Sequence, residues 1–197
     1  MKLLVASTNP GKLREIRGIL AGAPVEIVTL DGFPGIEAPE ESGATFAENA
    51  RLKALHYHRA SGVPTVAEDS GLEIEALGGI PGVQSARWEG SDYSVKFRRI
   101  YELLCEGDVQ TSPARFVCAL ALAVNDQIQY EVQGTVEGEI APEPRGDNGF
   151  GYDPIFFYPP LSRTLGELER ELKSTLSHRG SAFRALRRYL QGLPTFS

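Results

Sequence analysis

The chain has 197 residues, 42% of them hydrophobic and 23% charged, with 26 acidic against 20 basic side chains and a formal net charge of −6. Such a composition excludes disordered, collagen-like and fibrous classes, and the length sets the expectation of a single domain over residues 1–197. The acidic balance argues against a nucleic-acid partner, which calls for a basic face, and no apolar run approaches the roughly 20 residues of a membrane span.

In chain order, Lys2-Leu3-Leu4-Val5-Ala6-Ser7 reads as a short buried strand. Asn9-Pro10-Gly11 cuts that stretch too soon for a signal peptide and predicts a turn. Leu13, Ile16, Arg17 and Leu20 follow at helical spacing. Val25–Leu30 is a second strand and Asp31–Gly43 a loop. Thr45-Phe46-Ala47-Glu48 is a capping box, which opens a helix running to about Ala60. Thr65–Asp69 is a third strand, and Leu72–Leu77 is predicted to resume as another before the glycine-rich turn Gly78–Gly82. A helix spans Tyr93–Cys105. Ala114–Val124 and Gln127–Val136 form a hairpin around Asn125-Asp126, with a further strand to Ile140. Gly146–Asp153 is a loop, and a helix from Ser181 to Gln191 closes the chain. Strand–helix–strand early and consecutive strands later imply an α/β fold with a mixed sheet.

Five places carry residues suited to chemistry. Ser7-Thr8-Asn9-Pro10-Gly11-Lys12 lies between a strand and a helix, where backbone N–H groups, the helix dipole and a lysine can meet an anion. It lacks the leading glycine and the magnesium-binding Ser or Thr of a P-loop. Glu37, Glu40 and Glu41 precede the capping box, and Glu68-Asp69 ends a strand; two of these carboxylates brought together can hold Mg²⁺ or deprotonate a water. Asn49 and Lys53 stand four apart on the helix after Thr45, with Lys53 in the inward arc. There it meets a carboxylate or an anion, or its stem covers core while its head reaches water. Gly149-Phe150-Gly151-Tyr152-Asp153-Pro154 either presents a ring and an acid to a planar ligand or makes a buried aromatic corner. Lys173 and Ser177-His178-Arg179-Gly180 either reach phosphates and base edges or cap the last helix.

Two details of composition bear on this set. Only five of the 20 basic residues are lysines: Lys2, Lys12, Lys53, Lys96 and Lys173. In a chain that otherwise uses arginine, they mark candidate positions for a compact ammonium. Cys105 and Cys118 match no metal-ligand spacing and are expected as reduced, buried thiols in a cytoplasmic protein.

Taken in order, these motifs resemble the inosine triphosphate pyrophosphatase family of house-cleaning nucleotidases. The match runs from Leu3 to about Leu190 through Ser7–Lys12, Glu40-Glu41-Ser42-Gly43, Thr45–Ala50 with Lys53, Glu68-Asp69-Ser70-Gly71-Leu72, Gly78–Gly82, Phe150–Pro154, Lys173 and Ser177-His178-Arg179. The resemblance implies an elongated two-lobed fold, its central mixed sheet flanked by helices and its active-site cleft between the lobes. It also implies a homodimer and Mg²⁺-dependent hydrolysis of non-canonical purine nucleoside triphosphates (ITP, dITP, XTP) to the monophosphate and pyrophosphate, which cleanses the nucleotide pool. By position, Glu40 and Asp69 would be the metal carboxylates, with Asp69 also the base for the attacking water. Ser7, Thr8, Asn9, Pro10, Gly11, Lys12, Lys53, Ser70 and Lys173 would hold phosphates, with Arg87 assisting. Phe150, Gly151, Tyr152 and Asp153 would form the base pocket with His178 and Arg179. Glu68 stands where some relatives carry a second aspartate. A pyrophosphatase for pyrimidine triphosphates and a non-catalytic nucleotide sensor are the competing readings.

Overall fold

Asn9 and Pro10 open the first helix. The Asn9 side chain accepts the backbone N–H groups of Gly11 and Lys12, and Pro10 takes the first helical position, where no donor is missed. The computed structural model describes residues 1–192 and is α/β, with seven strands and five α-helices among them. These are β1 (Lys2–Val5), α1 (Pro10–Ile19), β2 (Glu26–Thr29), α2 (Phe46–Ser61), β3 (Thr65–Ile74), α3 (Tyr93–Glu106), β4 (Pro113–Val124), β5 (Gln127–Ile140), β6 (Phe156–Tyr158), β7 (Arg163–Thr164), α4 (Arg170–Leu176) and α5 (His178–Gly192). None of the described helices is long and apolar enough to cross a membrane.

The strands form one sheet in the order β2-β1-β3-β4-β5-β6-β7. β1 runs parallel to β2 and β3, with Val5 opposite Thr29 and Val66, while β6 runs antiparallel to β5 and β7. The sheet is therefore mixed, as expected. The capping box is complete, since the Thr45 hydroxyl accepts the Glu48 N–H and the Glu48 carboxylate accepts the Thr45 N–H. Asn125 and Asp126 both have left-handed φ, 51° and 60°, which a two-residue hairpin turn requires.

Four segments differ from their predicted form. β3 runs unbroken through Ser70 and Gly71, so Asp69 lies inside a strand rather than at its end. A strand with hydrogen-bonded neighbours on both sides overrides the local turn preference of Ser-Gly. β5 is likewise continuous to Ile140. α5 begins at His178, three residues before the predicted start, and α4 is a short helix that carried no periodic signal. Residues 193–197 lie outside the described part.

The chain divides into two compact units. The first comprises residues 1–69, 118–134 and the chain from 178. Its core joins Leu3 and Val5, Ile16 of α1 and Leu20 just after it, Val66, Leu120 and Leu122 of β4, and Phe183, Leu186 and Leu190 of α5. β-Strand side chains alternate between faces, so Val66 and Glu68 point to the α1/α5 side while Ala67 and Asp69 point to α2. The buried side chains of α2 include Phe46, Ala50 and Tyr57 but also Asn49 and Lys53. The second unit comprises residues 70–117 and 135–177. Its core gathers Leu72 and Ile74, Ile100 and Leu104 of α3, Phe116, Ile140, Tyr152, Phe156 and Leu165.

Candidate active site

On the α2 side of β3, Lys53 binds two carboxylates at once. Its ammonium lies 2.8 Å from Glu41 Oε1 and 2.9 Å from Asp69 Oδ1. Asn49, one turn earlier on α2, donates to the other Asp69 oxygen at 3.2 Å. The Asn49 side-chain oxygen, Oδ1, accepts the Gly43 N–H at 2.8 Å and thereby anchors the loop that presents Glu41. Gly43 is required by close approach: a Cβ there would stand 2.7 Å from Asn49 Oδ1 and 2.8 Å from Glu48 Cβ. Burial pushes the Asp69 carboxyl up, and the Lys53 ammonium only partly offsets it, leaving a more basic carboxylate than usual. Burial pulls Lys53 down, but Asp69, Glu41 and Glu68 outweigh it and hold the ammonium firmly charged.

The α1/α5 side of the same strand carries a second ionic group. Glu68 Oε1 lies 2.6 Å from Lys12 Nζ and 3.6 Å from Arg179 Nε, and Glu68 Oε2 accepts from the Cys118 thiol at 3.5 Å. Arg179 also reaches Glu15 Oε2 at 3.0 Å. Burial pushes the Glu68 carboxyl up, yet the Lys12 and Arg179 charges reverse this and hold it well below the usual carboxylate range. Burial and the Glu68 charge raise the Cys118 thiol far up, so it stays protonated and unreactive; Cys105, expected to be buried as well, is exposed near the end of α3. The close packing that places Arg179 depends on Gly134, where a Cβ would collide with the His178 carbonyl and stand 2.9 Å from Ala182 N.

In the second unit, Gly149 and Gly151 at φ +80° and +68° bend the chain so that Asp153 turns back on its own loop. Asp153 Oδ2 accepts the Phe150 N–H at 2.6 Å and the Lys173 ammonium at 2.5 Å. The same ammonium lies 4.6 Å from the centre of the Phe150 ring. Tyr152 sends its ring into the core, and its hydroxyl donates to the Ser85 carbonyl at 2.9 Å.

Each residue expected from the sequence thus has a definite place. Asp69, Lys53 and Asn49 come together as one group, and Lys12 and Arg179 join Glu68. Glu40 is exposed, and the carboxylate that reaches Lys53 is that of its neighbour Glu41. Ser7 is half-buried and Thr8, Asn9 and Pro10 are exposed at the start of α1, with the Gly11 and Lys12 N–H groups taken by Asn9. Ser70 follows Asp69 within β3. Lys173 stands with Phe150 and Asp153 in the second unit, and His178 is buried at the first position of α5. Glu15 was missed, although Lys12, Glu15, Ile16 and Ile19 share one inward stripe of α1 and that spacing was available.

The donor set fits a hard divalent cation. Asp69 and Glu41 bring two carboxylates to one positive charge, the oxygen donors such an ion takes. Mg²⁺ is commonly held in this way, by one or two carboxylates with waters and substrate phosphates completing its shell.

Comparison with known proteins gives concordant results. The model of the Ham1 family matches residues 3–189. A dITP/XTP pyrophosphatase of Exiguobacterium sp. is 45% identical over 186 residues, covering 94% of this chain and 95% of that protein. A dITP/XTP pyrophosphatase of Thermus thermophilus is 45% identical over 188 residues, covering 94% and 90%. Among solved structures, a HAM1 protein from Coxiella burnetii is similar with a TM-score of 0.91 and 38% identity, covering 98% of this chain and all of that one. A nucleoside-triphosphatase / dITP/XTP pyrophosphatase from Mycobacterium abscessus gives a TM-score of 0.76 and 42% identity, covering 94% and 98%.

Proposed function

The chain belongs to the Ham1 family, and we propose on that premise that it is a Mg²⁺-dependent nucleoside triphosphate pyrophosphatase. Its substrates are non-canonical purine nucleoside triphosphates (ITP, dITP and XTP), cleaved to the monophosphate and pyrophosphate. The observation that carries the reading is the Lys53 ammonium held between the Asp69 and Glu41 carboxylates. Such a group suits a triphosphate, whose hydrolysis needs both a base for water and positive charge for the leaving group.

In this reading water attacks the α-phosphorus, and the bond from that phosphorus to the bridging oxygen of pyrophosphate breaks. Asp69, made more basic by burial, accepts the proton of the attacking water. Lys53 and Lys12 neutralise charge that grows on the departing pyrophosphate, aided by the positive end of the α1 dipole. Asp69 and Glu41 would hold Mg²⁺, which when bound supplies further charge neutralisation at the phosphates. Phe150 offers a ring for stacking on the purine, with its loop braced by Asp153 and Lys173. A homodimer working in the cytoplasm on the nucleotide pool is part of the same proposal.

A panel of triphosphates assayed for released pyrophosphate, with and without Mg²⁺, tests it. Turnover of ITP, dITP and XTP should exceed that of ATP by about ten-thousandfold, the discrimination reached when a site's buried polar groups lose their partners. Equal turnover of pyrimidine triphosphates, or tight ITP binding without turnover, would replace this reading by one of its two competitors.

A further inference from the structure

The proposed function uses Lys12, Lys53 and Lys173, and leaves one buried lysine over. Lys96, on α3 of the second unit, is 0% exposed and heads the fully buried side chains by volume. Lysines are almost never buried without a partner. Here the ammonium donates to the carbonyl oxygens of Ser85 at 3.0 Å and Ala86 at 2.8 Å. It also lies 4.6 Å from the centre of the Tyr93 ring and 5.8 Å from that of Tyr152. Carbonyl oxygens and ring faces are the partners that favour an ammonium in a low-dielectric interior. Burial pulls its pKa down from the ordinary lysine value, so these contacts act against a real desolvation cost.

The Ser85 carbonyl is shared. It accepts Lys96 Nζ and the Tyr152 hydroxyl together, while the Ser85 hydroxyl accepts the Leu72 N–H at 2.9 Å and donates to the Gly82 carbonyl at 2.6 Å. One backbone oxygen therefore ties α3 and the turn that carries Arg87 to the residue beside Asp153. The Tyr93 and Tyr152 rings, edge to face at 5.1 Å, complete the enclosure.

We propose that Lys96 is a positioning residue for nucleotide recognition: by clamping the Ser85 and Ala86 carbonyls against Tyr93 and Tyr152, it fixes the turn that carries Arg87 and, through Tyr152, the loop that presents Phe150. The proposal rests on the reading of Phe150–Asp153 as the base-binding loop. Lys96→Met keeps most of the stem and removes every donor, so the buried Ser85 carbonyl and the Ala86 carbonyl each lose a partner and the turn relaxes. Displacing binding groups by about 1 Å costs up to roughly a hundredfold in positioning-dependent steps.

The test combines steady-state kinetics with dITP and acrylamide quenching of Trp88, the chain's single tryptophan, which lies in the same turn with its backbone N–H on the Gln84 carbonyl. Four proteins are compared: the unaltered chain, Lys96→Met, Tyr152→Phe and Phe150→Ala. Lys96→Met is expected to raise KM about tenfold with kcat changed less than about threefold, and to expose Trp88 to the quencher. Tyr152→Phe, which removes only the second donor to Ser85, should raise KM about two- to threefold. If Lys96→Met does not fold, Tyr152→Phe decides alone, and an unchanged KM in it overturns the proposal. A fall in kcat at constant KM in Lys96→Met also overturns it, because that is the mark of a merely structural role. Phe150→Ala separates the two levels, since losing a stacking ring should raise KM about tenfold. If Phe150→Ala raises KM and Lys96→Met does not, the Lys96 proposal falls and the base-loop reading stands. If Phe150→Ala leaves KM unchanged, the base-loop reading falls and the Lys96 proposal with it.

Discussion

The Glu68 carboxylate lies 2.6 Å from the Lys12 ammonium and so binds the middle of β3 to the first turn of α1. Burial opposes its ionisation, but Lys12 and Arg179 hold its pKa well below the unfolded value of 4.5. A depressed carboxyl pKa contributes stability that is complete above pH 4.5 and is lost as pH falls through the folded-state value. Glu68→Gln is therefore expected to destabilise the chain by about 3–5 kcal/mol at pH 7, the cost of breaking a buried ion pair. Urea melts at pH 7 and pH 3 check this. The gap between the two proteins should narrow at the lower pH, and a constant gap would show that the charge of Glu68 is not what stabilises.

Asp69→Asn should separate binding from turnover. An amide in that place keeps one oxygen to accept from Lys53 and gives up only the bond from Asn49, so fold and nucleotide binding should persist, but it cannot take the proton of water. Turnover is expected to drop at least about a hundredfold, the scale of losing a positioned base. Calorimetric binding beside the pyrophosphate assay is the measurement, and turnover within a few fold of normal would remove Asp69 from the proton transfer.

Glu41 and Glu40 give opposite expectations. Glu41 shares Lys53 with Asp69 whereas Glu40 is exposed. Glu41→Gln should raise the Mg²⁺ concentration for half-maximal rate by about tenfold or more, a loss comparable to one disturbed metal partner. Glu40→Gln should leave it nearly unchanged. Mg²⁺ titrations of the rate compare the two, and the reverse pattern would return the metal role to Glu40.

Gly134→Ala should be unusually costly for so small a change. Its Cβ would meet backbone atoms of His178 and Ala182, which cannot rotate away, so the first turn of α5 must shift. A loss of about 3 kcal/mol is expected, at the upper end of overpacking effects. Gly18→Ala, in α1 with nothing within 4 Å of the added carbon, should instead stabilise by about 0.5–1 kcal/mol. Denaturant midpoints of the two variants decide the matter, and equal shifts would mean that α5 yields easily.

Much of the fold was legible because its signals are local. Asn9-Pro10, the Thr45–Glu48 capping box and Asn125-Asp126 each impose a backbone conformation on their own neighbours, and all three stand where they were expected. Ser70-Gly71 misled because a turn preference of a few tenths of a kcal/mol yields to pairing on both edges of β3. The ordered motifs likewise identified the residues of the site but not their partners. Which of Glu40 and Glu41 turns inward depends on how Asn49 grips Gly43, and Arg179 meets Glu15 across 164 positions of sequence. Contacts of that separation leave no periodic trace. The aromatic of Phe150-Gly151-Tyr152 that enters the core is Tyr152, since the two glycines reverse the chain around it.

Glu68 and Asp69 are adjacent, yet the pleat sends them to different neighbourhoods, one to Lys12 and Arg179 and the other to Lys53 and Asn49. Inserting or deleting a single residue between Thr65 and Glu68 would exchange them, offering the longer side chain to α2 and leaving the shorter one among the cations of α1 and α5. Both ionic groups would then misfit at one stroke, although every residue type was still present. Changes of length in a lineage that keeps this chemistry must fall outside this part of β3, in the loops, where an added residue alters reach without altering which side of the strand a carboxylate occupies.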